Sequence, residues 1–329
     1  MQSFIEDVVQ DVLAKNRDTN QLIFVLPSKR AGIFLKKIVS KKTKGPLIAP
    51  EIYSIEEFVE RISGIATAST TTQLFELYNA YLAVGDYEKE PFDSYLKWGQ
   101  VLLQDFNEID RYLVNATSLY QNVAAIQEVN HWSLHPERSE LIENYLHFWK
   151  HLEEIYTVFN THLLKQGLGH QGAVYKIAIA RLPEYITSNH KKHVFLGFNA
   201  LNTAESTLIQ TLLEQTESDI YWDIDPYFLE DDIHDAGFFI RQYQKTWPIL
   251  KGKTLNGTSS HYLSHKKITI AGIPKNVSQM NYVGHLLNTL QINDGNELQN
   301  AAIVLGNETL LNPLLNAIPE QIKTTNITM

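Results

Sequence analysis

The sequence has no cysteine anywhere in its 329 residues. That absence excludes disulfides, thiolate metal sites and thiol catalysis, and it fits a reducing cytoplasm. Long apolar runs are missing as well: no stretch reaches the roughly 18 residues that a membrane span requires. The opening segment, MQSFIEDVVQDVLAKN, has the pattern of an acidic amphipathic helix, with neither the basic head nor the small-residue cleavage site of a signal peptide. The expectation is a cytoplasmic protein with no membrane partner.

Complete catalytic signatures are equally scarce. The twelve histidines include no HExxH, and the sequence has no GxSxG and no lysine and carboxylate spacing specific to a nuclease centre. The closest histidine pairs, His131/His135, His147/His151 and His190/His193, lack the additional ligands of a zinc site. His147 and His151 fall one helical turn apart beside Tyr145, Trp149 and Tyr156, which reads as helix packing. No catalytic residue, cofactor site or metal site is expected in this stretch.

What is present is core-forming material. Hydrophobic residues make up 44% of the chain and aromatics 11%, enough for two or three hydrophobic cores. The formal net charge of −9 does not describe a surface wrapped in nucleic acid. Its distribution is uneven, however. Lys29, Arg30, Lys36, Lys37, Lys41, Lys42 and Lys44 fall within sixteen residues that contain no Asp or Glu. Such a run is either a solvated helix face or a contact for an anion or a nucleic-acid backbone.

Apolar periodicity divides the chain. Residues 22 to 26 read as a buried strand, 28 to 40 as a helix, 46 to 49 as a second short strand and 55 to 62 as another helix. From about 70 to 182 the pattern is helical, with segments at 70–84, 92–112, 116–128, 136–166 and 169–182. Strands return at 193–198 and 220–224 around a helix at 203–214, an αβ crossover of the length a parallel sheet requires. A helix at 235–245, a polar loop at 250–264, a strand at 267–272, a helix at 276–291, a strand at 300–305 and a helix at 308–317 complete the reading. The fold class is α/β, a parallel-sheet core interrupted by a helical block.

The strand Leu22–Leu26 and the basic turn after it stand where a nucleotide-binding α/β protein keeps its phosphate loop, yet the GxxxxGK[ST] pattern is absent. Pro27 removes an amide donor, and Lys29-Arg30 are followed by Ala31. Ser28 can cap the helix, whose first-turn amides retain some affinity for anions. The later strand that should end in paired acids ends instead in Asn199-Ala-Leu-Asn202, and asparagine is no general base. Asp223, Asp225, Asp231 and Asp232 near the next strand make a metal site conceivable but read better as loop carboxylates.

Two further groups have a structural reading. Asp105 and Glu108 share a helix face opposite the stripe Leu102, Phe106, Ile109 and Leu113, with Arg111 or Arg138 available to pair with the acids of this segment, Asp110 included. The aromatics Tyr78, Tyr81, Trp98, Tyr112, Trp132 and Trp149 have the chemistry to stack bases but recur with apolar neighbours, as core or rim residues do.

Five stretches, taken in order, carry a resemblance. Val25-Leu-Pro-Ser-Lys-Arg-Ala-Gly-Ile-Phe-Leu35, Pro50-Glu-Ile-Tyr-Ser-Ile-Glu-Glu-Phe58, Gln104-Asp-Phe-Asn-Glu-Ile-Asp110, Val194-Phe-Leu-Gly-Phe-Asn199 and Ala302-Ile-Val-Leu-Gly-Asn-Glu-Thr-Leu-Leu311 together resemble the amino-terminal portion of AddB-type helicase-nuclease proteins of the PD-(D/E)XK nuclease branch. The resemblance implies a P-loop-like, superfamily 1 helicase-like core: residues 1–65 its first part, 66–185 a helical insertion domain, 186–295 its second part, and 296–329 the start of a second core domain or a sheet extension. Complete relatives process double-stranded DNA ends in recombinational repair. The resemblance therefore also implies a larger parent, with a Mg2+-dependent exonuclease domain far to the carboxyl side and a helicase-nuclease partner subunit. The expected role here is a non-catalytic, helicase-like scaffold that holds or steers DNA, with Ser28, Lys29 and Arg30, and further along Lys36 and Lys37, as the contacts. A divergent ATPase and a protein-interaction scaffold without DNA contact are the alternatives.

Overall fold

Strand Leu22–Leu26 is buried at every position because helices cover both of its faces. The computed structural model describes residues 3–16, 18–43, 48–130, 140–293, 298 and 301–327. In chain order the first elements are α1 (Phe4–Lys15), β1 (Leu22–Leu26), α2 (Lys29–Lys42), β2 (Glu51–Ser54), α3 (Ile55–Ser63), β3 (Ala66–Thr67), α4 (Thr70–Ala83), α5 (Phe92–Arg111), α6 (Ala116–Asn130) and α7 (Glu140–Lys165). They are followed by β4 (Leu168–Gly169), α8 (Gln171–Ser188), β5 (Lys192–Leu196), α9 (Thr203–Gln215), β6 (Asp219–Tyr221), α10 (Pro226–Glu230), α11 (Phe238–Thr246), α12 (Asn276–Asn293) and α13 (Leu311–Ala317). The chain divides into two compact units, Met1–Ser264 and His265–Met329.

The sheet of the first unit has the order β2-β1-β5-β6, and every pairing in it is parallel. Alternation along β1 sends Leu22, Phe24 and Leu26 to one face, where they meet Val8, Val9 and Val12 of α1 and Leu35 and Val39 of α2. Ile23 and Val25 face the other side, among Phe58 of α3, Val174 and Ala178 of α8, and Leu208 and Leu212 of α9. Burying each of these large side chains contributes about 1.5 to 3 kcal/mol, which is why so short a sheet can anchor three layers. Local signals start the flanking helices. Ser3 with Glu6 and Ser54 with Glu57 form capping boxes at the heads of α1 and α3, and α3 ends at Gly64, whose φ of 68° is the left-handed value glycine tolerates.

Between β3 and β4, which pair in parallel, α4 to α7 build a separate core around Leu77, Tyr95, Phe106, Ile155 and Phe159. Helix α8 joins this block to the sheet. Its Gly172 sits against α5, where a Cβ would collide with the Asn107 carbonyl and come 2.9 Å from the Asp110 Cβ.

Several expectations change. The second strand is Glu51–Ser54, not 46–49, of which 46 and 47 lie outside the described residues. Pairing with β1 begins after Pro50, which has no N–H to donate. Helix α8 does not stop at Leu182 but passes through Pro183 to Ser188, because Leu182, Tyr185 and Ile186 continue the face packed on the sheet core. The stretches 267–272 and 301–305 form no ladder among the described residues; residue 300 lies outside them. Ile268 and Ile270 are 76% and 93% exposed, and a β pattern without a neighbouring strand has nothing to pair with. The described architecture is thus a mostly helical protein with a small parallel sheet, a generic α/β fold without a helicase-specific feature.

Candidate nucleic-acid interface

In open parallel sheets ligands collect at the carboxyl ends of the strands where the strand order reverses. Here that point lies between β1 and β5. The chain passes from β1 to α2 through Pro27 and Ser28 alone. Ser28 is extended, with φ −146° and ψ 151°, and its hydroxyl accepts the Ala31 N–H at 3.3 Å. The Gly32 N–H is also used, on the Ser28 carbonyl at 3.4 Å. A phosphate cradle needs consecutive amides turned toward one point. This turn is too short to supply them, and Gly32 serves packing instead, since a Cβ there would come 3.3 Å from Ile52 Cγ2.

An aromatic ring stands at the same edge. A Cβ added to Gly197, just after β5, would lie 3.8 Å from Phe4 Cε1 and 3.9 Å from Pro27 Cδ, and one added to Gly257 would lie 2.9 Å from Phe4 Cε2. Across the edge, Asn202 accepts the Glu205 N–H at 2.9 Å while Glu205 accepts the Asn202 N–H at 3.1 Å. The position where a nucleotide site would carry an acidic pair is therefore the cap of α9, and Asn199 is exposed beside it.

The five proposed contact residues all lie at or along α2, and all are exposed. They do not form one cluster. Ser28 is committed to capping, and Lys29 Nζ is 3.1 Å from Glu57 Oε1 at the head of α3. Hydrogen bonding and attraction to Glu57, reinforced by Glu60 and Glu56, hold the Lys29 ammonium above its ordinary range. Arg30 follows it on the helix. Lys36 and Lys37 lie two turns on, roughly 10 Å along the axis, and with Lys41 and Lys42 they make the distal half of the helix basic. Lys44 lies outside the described residues.

Several of the other candidate groups have structural partners. Asp225 caps α10, accepting the Tyr227 N–H at 3.0 Å and the Tyr262 N–H at 2.8 Å. His151 contacts the His147 carbonyl at 2.7 Å within α7, and the pair His131/His135 lies outside the described residues. Among the described residues no group of three or more His, Asp or Glu side chains is placed to hold a metal ion, and no helix is long and apolar enough to cross a membrane.

Sequence reasoning missed a buried polar cluster. Asp110, at the end of α5, accepts Tyr156 Oη at 2.6 Å and Lys176 Nζ at 2.8 Å, and its other oxygen lies 3.2 Å from His170 Nε2. Burial opposes the charge, but His170, Lys176 and Tyr156 together hold this carboxyl below its usual range. Arg111 pairs with Glu108 at 3.5 Å, and Arg138 lies outside the described residues. The partners of Asp110 come from α7 and from the head of α8, more than forty residues away, so no local spacing signals them. Lys176 is about half exposed while Asp110 and His170 are fully buried, which makes the cluster a latch between helices rather than an open catalytic centre. No family model and no curated protein matches this chain.

Proposed function

We propose that this polypeptide is a DNA-holding module without a motor of its own, a helicase-like scaffold within a larger DNA-end-processing protein whose phosphodiester chemistry lies elsewhere. The observation that supports the reading is the combination at α2. A strand-to-helix turn occupies the phosphate-loop position but is too short to cradle a nucleotide, and the helix it starts presents Lys36, Lys37 and Lys41 to solvent with no acidic residue along its length. A row of cations on a helix suits the spaced charges of a nucleic-acid backbone, which needs no base-reading groups. The absent acidic pair at Asn199 and Asn202 agrees with a site that positions DNA and hydrolyses nothing.

The test is a salt titration of duplex DNA binding by the full chain. Binding at about 50 mM salt that weakens steeply by 200 mM is expected, with the slope reduced by about 0.9 for each lysine contact removed in Lys36→Ala and Lys37→Ala. No binding at low salt, or an unchanged slope in the double variant, would overturn the assignment. Magnesium-ATP binding measured by calorimetry would instead point to the divergent ATPase.

A further inference from the structure

The helical block contains a cleft of about 800 Å³ between Tyr81 of α4, the loop from α4 to α5, the outer face of α5 and the amino-terminal half of α7. That volume lies within the roughly 300 to 1,000 Å³ of small-ligand sites. Its walls are aromatic: Trp98 meets Tyr81 edge-on at 5.3 Å and Phe148 edge-on at 5.3 Å, and Phe148 in turn meets Trp149 at 5.7 Å. Its charged lining is Glu88, Glu90 and Asp105 against Lys89 alone, so the cleft is acidic overall. Glu90 is engaged by the Trp98 indole N–H at 3.2 Å, but no cation pairs with Asp105 among the described residues.

One cation already lies in the aromatic wall. Lys89 Nζ sits 3.2 Å from the centroid of Tyr87 and 4.8 Å from that of Tyr81, and donates to the Val84 carbonyl. No carboxylate reaches ion-pair distance of it among the described residues, and burial pushes this ammonium down to about 8 against a weaker attraction to Asp86; its direct contacts are the ring faces and the Val84 carbonyl. Partial desolvation raises Asp105, which is itself exposed.

We propose that this cleft binds an organic cation, an ammonium carrying apolar substituents, with its charge over the aromatic faces and toward Asp105, and that Lys89 is the internal occupant such a ligand displaces. Quaternary and alkylated ammonium groups suit the site because they are weakly hydrated and gain from ring faces what they lose in water. The proposal is independent of the DNA reading, since none of its residues lies on α2.

The experiment is a tryptophan-fluorescence titration of the full chain with benzyltrimethylammonium, set against its uncharged carbon isostere. Saturable quenching by the cation alone is expected. Asp105→Asn should weaken it about tenfold, and Val101→Arg should abolish it; Val101 is 59% exposed, so this change fills the cleft while leaving the core intact. Lys89→Met should tighten binding at least fivefold by removing the competing ammonium, a gain that general destabilisation does not produce. Equal quenching by the isostere, or Lys89→Met binding no tighter than wild type, would overturn the proposal. A second arm compares free trimethyllysine with a trimethyllysine-bearing peptide: tighter binding of the peptide identifies a polypeptide source, and equal binding a small molecule.

Discussion

Lys29 and Glu57 form an ion pair at 3.1 Å that ties the head of α2 to the head of α3. Both helices start at the carboxyl edge of the parallel sheet, so a cation at the phosphate-loop position already has an internal anion.

That pairing makes Lys29 the weaker and Glu57 the more revealing position for mutation. On the proposed DNA-holding role, Glu57→Gln is expected to raise DNA affinity about two- to fivefold at low salt, with the gain disappearing above about 0.2 M as charge is screened. Lys29→Ala should change affinity less than Lys36→Ala. Fluorescence anisotropy with a labelled duplex measures both, and a larger loss for Lys29→Ala than for Lys36→Ala would return the contact to the helix head.

Asp110 should be the most sensitive acidic residue in the first unit. Removing its carboxylate leaves His170, Lys176 and Tyr156 without their common partner, so Asp110→Ala should cost about 3 to 5 kcal/mol, while Lys176→Met, at a half-exposed residue, should cost about 1 kcal/mol or less. The folded carboxyl lies below its ordinary range, so its contribution is complete above that range and is lost as pH falls through the folded value. Urea midpoints at neutral pH decide the matter; a cost below about 1 kcal/mol for Asp110→Ala would show that the cluster is not a latch.

His193 gives stability the opposite kind of pH dependence from an ion-paired histidine. It is fully buried in β5, between Tyr185 Oη at 2.8 Å and Ser218 Oγ at 3.3 Å, and burial pushes it down to about 4. The unfolded chain takes up a proton near 6.5 and the folded chain does not, so stability is complete above that pH and falls between about 6.5 and 4. The loss should approach 3 kcal/mol across that window. Thermal melts of wild type and His193→Gln between pH 7 and pH 4 should converge as pH falls, and parallel profiles would refute the assignment.

Gly172 tests the junction of α8 with α5. An alanine there would drive its Cβ into the Asn107 carbonyl, in backbone that cannot swing aside as a side chain would. Gly172→Ala should cost about 1 to 3 kcal/mol despite the better helix propensity of alanine, and unfolding midpoints compared with Gly167→Ala, where a Cβ meets nothing within 4 Å but φ is 71°, separate collision from backbone strain.

The helix start at Ser28 was legible because capping is a local event. Ser28, expected as a cap, satisfies an amide within three residues; Ser54 and Asn202 do the same, but neither is expected as a cap from the sequence, where Asn202 stands as the place of a missing acid. The sheet was legible where both faces are covered: Leu22–Leu26 is a strand as expected, the expected strand 193–198 is realised as Lys192–Leu196 and that at 220–224 as Asp219–Tyr221, all in parallel pairing. The similar stretches at 267–272 and 301–305 do not pair among the described residues, because a strand is a relation between two segments and the pattern of one does not supply the other. Pro183 misled in the opposite direction, since packing on the sheet outweighs one missing backbone hydrogen bond.

The sequence by itself determined the apolar periodicities, the Ser28 cap, the basic run on α2 and the missing phosphate-loop triplet, all of which depend on neighbours a few residues apart. Only the tertiary structure decided that Lys29 is paired with Glu57, that Phe4 stands beside Gly197 at the strand ends, that Asp110 gathers His170 and Lys176, and that Lys89 lies against Tyr87 in an acidic aromatic cleft. Each of these depends on which helix faces which across the sheet or the helical block, and side chains far apart in the chain acquire a shared chemistry only when packing brings them together.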